Sequence, residues 1–471
     1  MIRPRAVAWL AAGLLVAGAC TADPLALTNP NSPTVAGAAG DAAALQLQAT
    51  GVLRQLRGGF GAYITTTARL GREGYIYTPN EGRNTSHYLI GLAGENRLDP
   101  SGFATGVWAL PYGNLRDLFN LRNVLTSHAT LSAEQKSAGL GFARTIEALE
   151  LFYVISTRDS LGAVVQVNQD ASDLAPFVSR DSVYRYILGT LDAGNAELTS
   201  GGTTFPFSLH AGFAGFNTPA AFRLFNRAVA ARVAVHFATR GGGAAAWTAA
   251  QAALGASFLD RATASSAAMQ AGVYHVHSTA TGDAANGLGL NADFLAHPSH
   301  ATDVMPGDLR AVKWSVLGVE RDAPQGLGIP TNLSMARYAS NTASIPVIRN
   351  EELLLLDAEV RWNTGDKAGA IADLNQVRSV SGGAAIGPTA ATVASSDAAF
   401  IDALLYERRF SLLAEGHRWI DHRRLGRLAA LPRDLTTGVN AHFVARVMPV
   451  PQAECLVRAR ANDPALDGPG C

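Results

Sequence analysis

Apolar residues recur along this chain at the three- and four-residue spacing of amphipathic helices. Between residues 41 and 57 they fall at Leu45, Val52, Leu53 and Leu56, and between 107 and 125 at Trp108, Tyr112, Leu115 and Phe119. Residues 132–156 continue through Phe142, Ile146, Leu149 and Phe152, and residues 181–198 through Val183, Ile187, Leu191 and Leu198. Start signals accompany the pattern. Ser132 and Gln135 form a capping box, in which each side chain satisfies a backbone N–H of the first turn. Thr218-Pro219 sets an N-cap before a proline at the first helical position and predicts a helix over 218–238. No run of alternating strands points to a sheet-based core, so the predicted fold class is mainly all-α.

Residues 347–380 show the strongest periodicity. One helix is predicted over 351–363, a break at Thr364-Gly365-Asp366, and a second helix over 367–379 with Asp366 as its N-cap. The small and apolar residues Ala358, Ala370, Leu374 and Val377 follow a tetratricopeptide-like spacing that lets paired helices approach. The stretch from about 270 to 345 differs. It is rich in Gly, Asn, Asp, His and Pro and predicts long loops, with a small hairpin around 273–276. Long irregular segments in compact proteins tend to carry function.

Composition narrows the function. Lys+Arg and Asp+Glu are both 38 among 471 residues, so there is no basic excess to track a nucleic-acid backbone. At the N-terminus, Arg3 and Arg5 precede an apolar run ending in Ala17-Gly18-Ala19, and Cys20 follows. The run is short for a membrane span and reads as an export signal. The small residues before Cys20 resemble a lipobox, in which the cysteine is lipidated. Ala17 stands where Leu is usual, and an ordinary cleaved signal is the alternative. The predicted organisation is a signal over 1–20, a tether over 21–40 and a single domain over 41–471. That domain divides into a helical part 41–270, a loop-rich insertion 271–345 and a C-terminal part 346–471. Cys455 and Cys471 are a candidate disulfide for an exported protein.

The C-terminal part carries a family resemblance. Arg349-Asn350-Glu351-Glu352 through Ala358-Glu359, with Gly365-Asp366, Ala370, Leu374-Asn375 and Val377-Arg378, resembles the helix pattern R-x-x-E-x-x-L-x-x-A-E of the SusD/RagB family. Glu407-Arg408-Arg409, Glu415-Gly416-His417-Arg418-Trp419, Asp421 and Arg424 are similar to the family's signature. Leu412 lies near the place of a usual Glu, and His422 replaces a usual Leu. Met448-Pro449-Val450-Pro451 with Glu454 resembles the closing P-I-P-x-x-E. Residues 144–165 and 181–198 add a weaker likeness. The resemblance implies a tetratricopeptide-like scaffold with a loop-rich ligand face, on a surface-exposed outer-membrane lipoprotein. Such a protein would bind a nutrient, by family default a glycan with oligopeptide as the alternative. It would pass that nutrient to a SusC-like TonB-dependent transporter, without catalysis and without a cofactor. A surface glycoside hydrolase and a tetratricopeptide interaction scaffold are the competing readings.

Candidate ligand residues follow from sugar chemistry, because aromatic faces stack on sugar rings and amides or guanidiniums bind hydroxyls. Tyr75, Tyr77, Tyr88 and Arg83 lie in a Gly/Asn/Arg-rich stretch, and Trp314 and Tyr338 in the insertion. Trp108 and Trp419 sit on helical faces and are assigned to packing. His297, His300 and Asp303 are close enough in sequence to suggest zinc, but Pro298 interrupts the helical spacing and no metal is predicted. Gly241-Gly242-Gly243 lacks the Lys-Ser/Thr of a phosphate loop, and there is no G-x-S-x-G elbow for a nucleophile. The charges at 407–424 alternate in sign and predict structural ion pairs sharing one helix face.

Overall fold

The computed structural model describes residues 41–460, apart from residues 93, 94, 169 and 171. The segment 1–40 with Cys20, and Cys471, lie outside them. Six long helices build the first part: α1 (Ala42–Leu70), α2 (Gly106–Ser127), α3 (Ala133–Arg158), α4 (Arg180–Thr199), α5 (Pro219–Phe237) and α6 (Gly243–Gly255). Each packs on its sequence neighbour from α2 onward, and α1 packs on α2. The caps are those the sequence announces. Ser132 and Gln135 close a full capping box on α3, and Thr218 accepts from the Ala221 N–H at the start of α5.

Two helices differ from expectation. The amphipathic pattern predicts a helix over 41–57, yet α1 runs through glycines 58 and 59 and continues to Leu70. Each interior glycine costs about 1 kcal/mol, which the burial of Phe60, Tyr63 and Ile64 offsets. The triple glycine at 241–243 is a tight turn of one wide helical coil that leads directly into α6.

The C-terminal part begins with α7 (Asn350–Asn363) and α8 (Lys367–Val377), separated as predicted by Thr364-Gly365-Asp366. Gly365 takes φ +99°, and Asp366 accepts from the Gly369 N–H at 2.9 Å. Ala358, Ala370, Leu374 and Val377 are all fully buried where α7, α8 and α9 (Asp397–Ser411) meet. Then follow α10 (Arg418–Arg424) and α11 (Gln452–Arg460).

The region read as loops is partly a sheet. Strands β1 (Gly74–Ile76), β5 (Phe294–Ala296), β7 (Thr331–Met335) and β6 (Trp314–Arg321) pair antiparallel in that order. Between β1 and β5 in sequence lie the two-residue strands β2 (Ala163–Val164) and β3 (Phe177–Val178), which pair with each other, and β4 (Gly272–His275). The hairpin expected around 273–276 does not form. Instead β4 pairs with the distant β8 (Ile345–Arg349), closing the whole insertion at its base.

The signature charges are structural but do not lie on one helix. Between α9 and α10 the chain turns at 412–417, with Ala414 at φ +55° and Gly416 at φ +89°. From α9 Glu407 reaches Arg310 and Arg378, from the turn Glu415 reaches Arg337 and Arg349, and the turn brings Arg408 of α9 onto Asp421 of α10, which Arg424 also meets. Gly416 is needed twice over. Its backbone is left-handed, and a Cβ there would stand 2.5 Å from Cε1 of Tyr63. Gly416→Ala is therefore expected to cost about 1–3 kcal/mol, read as a lower denaturation midpoint with an unchanged m-value.

Candidate functional site

The structure buries all five aromatic residues singled out as ligand-facing. Tyr75 donates its hydroxyl to Asp434 at 2.7 Å, Tyr77 to the Ile329 carbonyl at 2.9 Å and Tyr338 to the Ala414 carbonyl at 3.0 Å. Tyr88 lies under the Arg69 guanidinium, 3.9 Å from ring centre to Cζ, and Trp314 packs against His300 and Phe410. Each ring is 8% exposed or less, so these residues pack the sheet against the helices instead of presenting faces to a sugar. Arg83 is exposed, but it pairs with Glu81 and lies over Phe103. Trp419 is fully buried and donates its indole N–H to the Ala445 carbonyl; Trp108 stacks on Phe177.

The histidines considered for zinc are engaged elsewhere. His297 bonds Ser299 through Nδ1 and Asp434 through Nε2, His300 Nε2 donates to the Glu73 carbonyl, and Asp303 pairs with Arg409. Among the described residues no group of three His, Cys, Asp or Glu is arranged to hold a metal. Cys455 is disulfide-bonded.

The same two sequence stretches nonetheless meet at a pocket. It has a volume of about 520 Å³ and lies between the outer face of α1 and the loop 276–291. That size falls within the roughly 300–1,000 Å³ of small-molecule sites. Its floor is the α1 face carrying Gly58, Gly61, Ala62 and Thr65, where small side chains leave room. Arg57, next to Gly58, and Arg69, one turn after Thr65, flank that floor at its two ends. Asn84 overhangs from the segment after β1, and His277, Asn286, Leu288 and Asn291 come from the insertion.

The polar groups divide into those that build the pocket and those left over. Asn286 is spent on structure: its Nδ2 donates to the Ala343 carbonyl at 2.8 Å and its Oδ1 accepts from the Leu288 N–H at 2.9 Å. Arg57 ties α1 to the loop through the Val276 carbonyl at 2.5 Å and a contact with Asp283. Asn84 accepts from Arg69 at 3.2 Å and Asn291 from the Asp293 N–H at 3.1 Å. Both amides thus keep two N–H donors without a partner among the described residues. Arg57 Nε and His277 Nε2 are buried and unpartnered as well. Burial lowers the His277 pKa, so the ring is neutral at pH 7. With Nδ1 donating to the Ala284 carbonyl at 3.3 Å, Nε2 is left as an acceptor. A neutral ring beside amide and guanidinium donors is suited to hydroxyl and carbonyl groups. Unsatisfied buried polar atoms cost about 1–3 kcal/mol each, which a ligand that pairs them recovers.

A sequence signal for this site exists. Small residues at 58, 61, 62 and 65 share one helical face with Arg57 and Arg69, but the pattern is visible only if the helix is carried through the glycine pair. No helix of the described residues is long and apolar enough to cross a membrane.

Comparison with known proteins gives the fold a context. A model of the SusD family matches residues 329–448. A search of curated proteins found no match. Solved structures superpose over most of the chain. A SusD-like carbohydrate binding protein from Bacteroides vulgatus aligns at a TM-score of 0.61 and 14% identity, over 81% of this chain and 83% of that one. NanU of B. fragilis aligns at 0.63 and 15%, over 93% and 98%. Surface glycan-binding protein A from Bacteroides fluxus aligns at 0.59 and 13%, over 89% and 97%. The signature segment and the architecture agree: residues 329–448 match the model of the SusD family, and the chain as a whole shares the fold of these solved structures.

Proposed function

We propose that this protein binds an oligosaccharide in the pocket between α1 and the loop 276–291. The observation that carries this reading is the set of unpartnered donors and acceptor there, on Asn84, Asn291, Arg57 and His277. The likeness to structures described as carbohydrate- and glycan-binding supports the ligand class. No aspartate or glutamate lines the pocket, so it offers no carboxylate pair of the kind that hydrolyses glycosides. Binding without bond cleavage is the reading that fits. In the wider proposal the chain is anchored at the outer surface of the outer membrane through lipid on Cys20. A SusC-like TonB-dependent transporter receives the ligand. Cys20 lies outside the described residues, and the anchor and the transporter rest on the family resemblance.

The test is a glycan array followed by calorimetry. Asn84→Ala with Asn291→Ala is expected to weaken the best glycan about 30–150-fold, since two hydrogen bonds at ~1–1.5 kcal/mol each are removed. The melting temperature should fall by only a few degrees, because each side chain also accepts one internal hydrogen bond, and affinity is compared where both proteins are fully folded. Undiminished affinity in the double variant rules the pocket out as the site. A preference for oligopeptides over every glycan on the same array changes the ligand class. Cys20→Ser is expected to release the protein from the membrane fraction.

A further inference from the structure

A second concave region lies away from this pocket, where the C-terminal end of α3 meets the segment after α10. Two adjoining clefts of about 280 and 520 Å³ share Leu428, Ala429 and Arg446 in their walls. Four guanidiniums line them: Arg240, Arg423, Arg433 and Arg446. Among the described residues one carboxylate does, that of Asp159. The chain as a whole balances its charges, so this excess is local.

The single carboxylate is already committed. Asp159 takes a two-pronged contact from Arg240, and Arg180 and Arg423 each approach it to 3.7 Å. Arg423 is about nine-tenths buried, with its Nη atoms on the Arg446 and Ser156 carbonyls. Its Nε is buried and carries no hydrogen bond. Burial lowers its pKa, as expected for a cation short of counter-charge. Arg433 and Arg446 have no ion pair among the described residues. Surface arginines are usually just solvated, but here the exposed Arg446 borders both clefts, with the exposed Arg433 in the wall of one and the buried, under-compensated Arg423 in the wall of the other. Guanidinium forks bind carboxylate and phosphate oxygens with paired, charge-assisted hydrogen bonds. The lining supplies such forks without a matching acid.

We propose that this cleft is a second binding site that takes an oxyanion, the carboxylate of an acidic sugar or a phosphate group, between Arg423, Arg433 and Arg446. It is independent of the α1 pocket. A ligand or chain segment with a negative group could therefore be held at a distance from the sugar-binding residues.

The test uses the whole protein and three probes: glucuronate, inorganic phosphate and, as the neutral control, glucose. Arg433→Ala with Arg446→Ala changes exposed side chains only, and an unchanged melting temperature verifies the fold. Binding of glucuronate or phosphate is expected, weakened at least about tenfold in the double variant and by added salt, with no effect on glucose. A preference between the two anions says whether a planar or a tetrahedral group is the natural one. The proposal is overturned if neither anion binds below about 10 mM, or if both bind the double variant as tightly as the parent. Asn84→Ala with Asn291→Ala should leave anion binding intact, so this site and the α1 pocket fail or stand separately.

Discussion

Glu415→Gln is expected to destabilise the protein by about 3–5 kcal/mol at pH 7, the usual penalty for breaking a buried ion pair from one side. Glu415 is 3% exposed and sits in the turn between α9 and α10. Its carboxylate takes hydrogen bonds from Arg349 at 2.9 and 3.3 Å and from Arg337 at 2.9 and 3.3 Å. Lys313 lies close by, with its ammonium on the Phe410 and Ser411 carbonyls. Burial alone would raise the Glu415 pKa, but Arg349, Arg337 and Lys313 outweigh it and hold the carboxyl at about 2. A glutamine keeps the shape and an acceptor oxygen but leaves the Arg349 and Arg337 guanidiniums with one negative charge fewer. The sign with pH follows. A carboxyl depressed below its unfolded pKa stabilises the fold above that unfolded value and loses the contribution as pH falls toward the folded one. The difference between parent and variant should therefore be full at pH 6–7 and shrink from about pH 4.5 toward 2. Chemical denaturation of both proteins at several pH values measures it. A difference that is constant across that range, or smaller than about 1 kcal/mol at pH 7, would show that the cluster behaves as a solvated surface network.

This cluster also shows which parts of the molecule the sequence could disclose. The alternating charges at 407–424 announce ion pairs, and the structure has them. Asp421 finds Arg424 three residues away, as the spacing announces, and Arg408 within the same stretch, but the other partners come from elsewhere: Arg310 and Arg378 for Glu407, Glu359 for Arg424, Arg337 and Arg349 for Glu415. Only the fold brings those segments together. The break between α7 and α8 was legible for the opposite reason, because Gly365 and Asp366 act on their own neighbours. Tyr75 and Tyr77 mark the boundary. Their stretch does border the binding pocket, through Asn84, but β1 pairs with β5 more than two hundred residues away, and that pairing turns the rings inward. Which side of a short strand is buried depends on the partner strand, which local spacing cannot specify. The pocket was hidden by Gly58-Gly59, a stop signal by propensity that tertiary packing overrides.

Glu150→Gln is expected to do the opposite of Glu415→Gln and stabilise the protein at alkaline pH. Glu150 stands in the middle of α3 within Ala148-Leu149-Glu150-Leu151-Phe152 and is 2% exposed. Its one side-chain partner is neutral: Asn114 on α2 donates to it at 2.6 Å. Burial raises its pKa to about 8, and the Asn114 bond opposes this only in part. A carboxyl raised above its unfolded pKa favours the fold in its protonated form. That advantage is complete below about pH 4.5 and is lost as pH rises through about 8. A shift of this size corresponds to on the order of 5 kcal/mol at about 1.36 kcal/mol per pH unit, a large share of the 5–15 kcal/mol typical of a folded domain. Glutamine keeps the acceptor for Asn114 and cannot ionise, so the variant should match the parent near pH 4.5 and exceed it increasingly from pH 6 to 9. Melting curves of parent and variant across that range decide the matter, and a gap that does not widen with pH would mean that Glu150 is ionised in the fold. The two glutamates differ only in company. Both are buried, one is ringed by guanidiniums and the other faces an amide, and the same amide substitution is therefore expected to change stability in opposite directions.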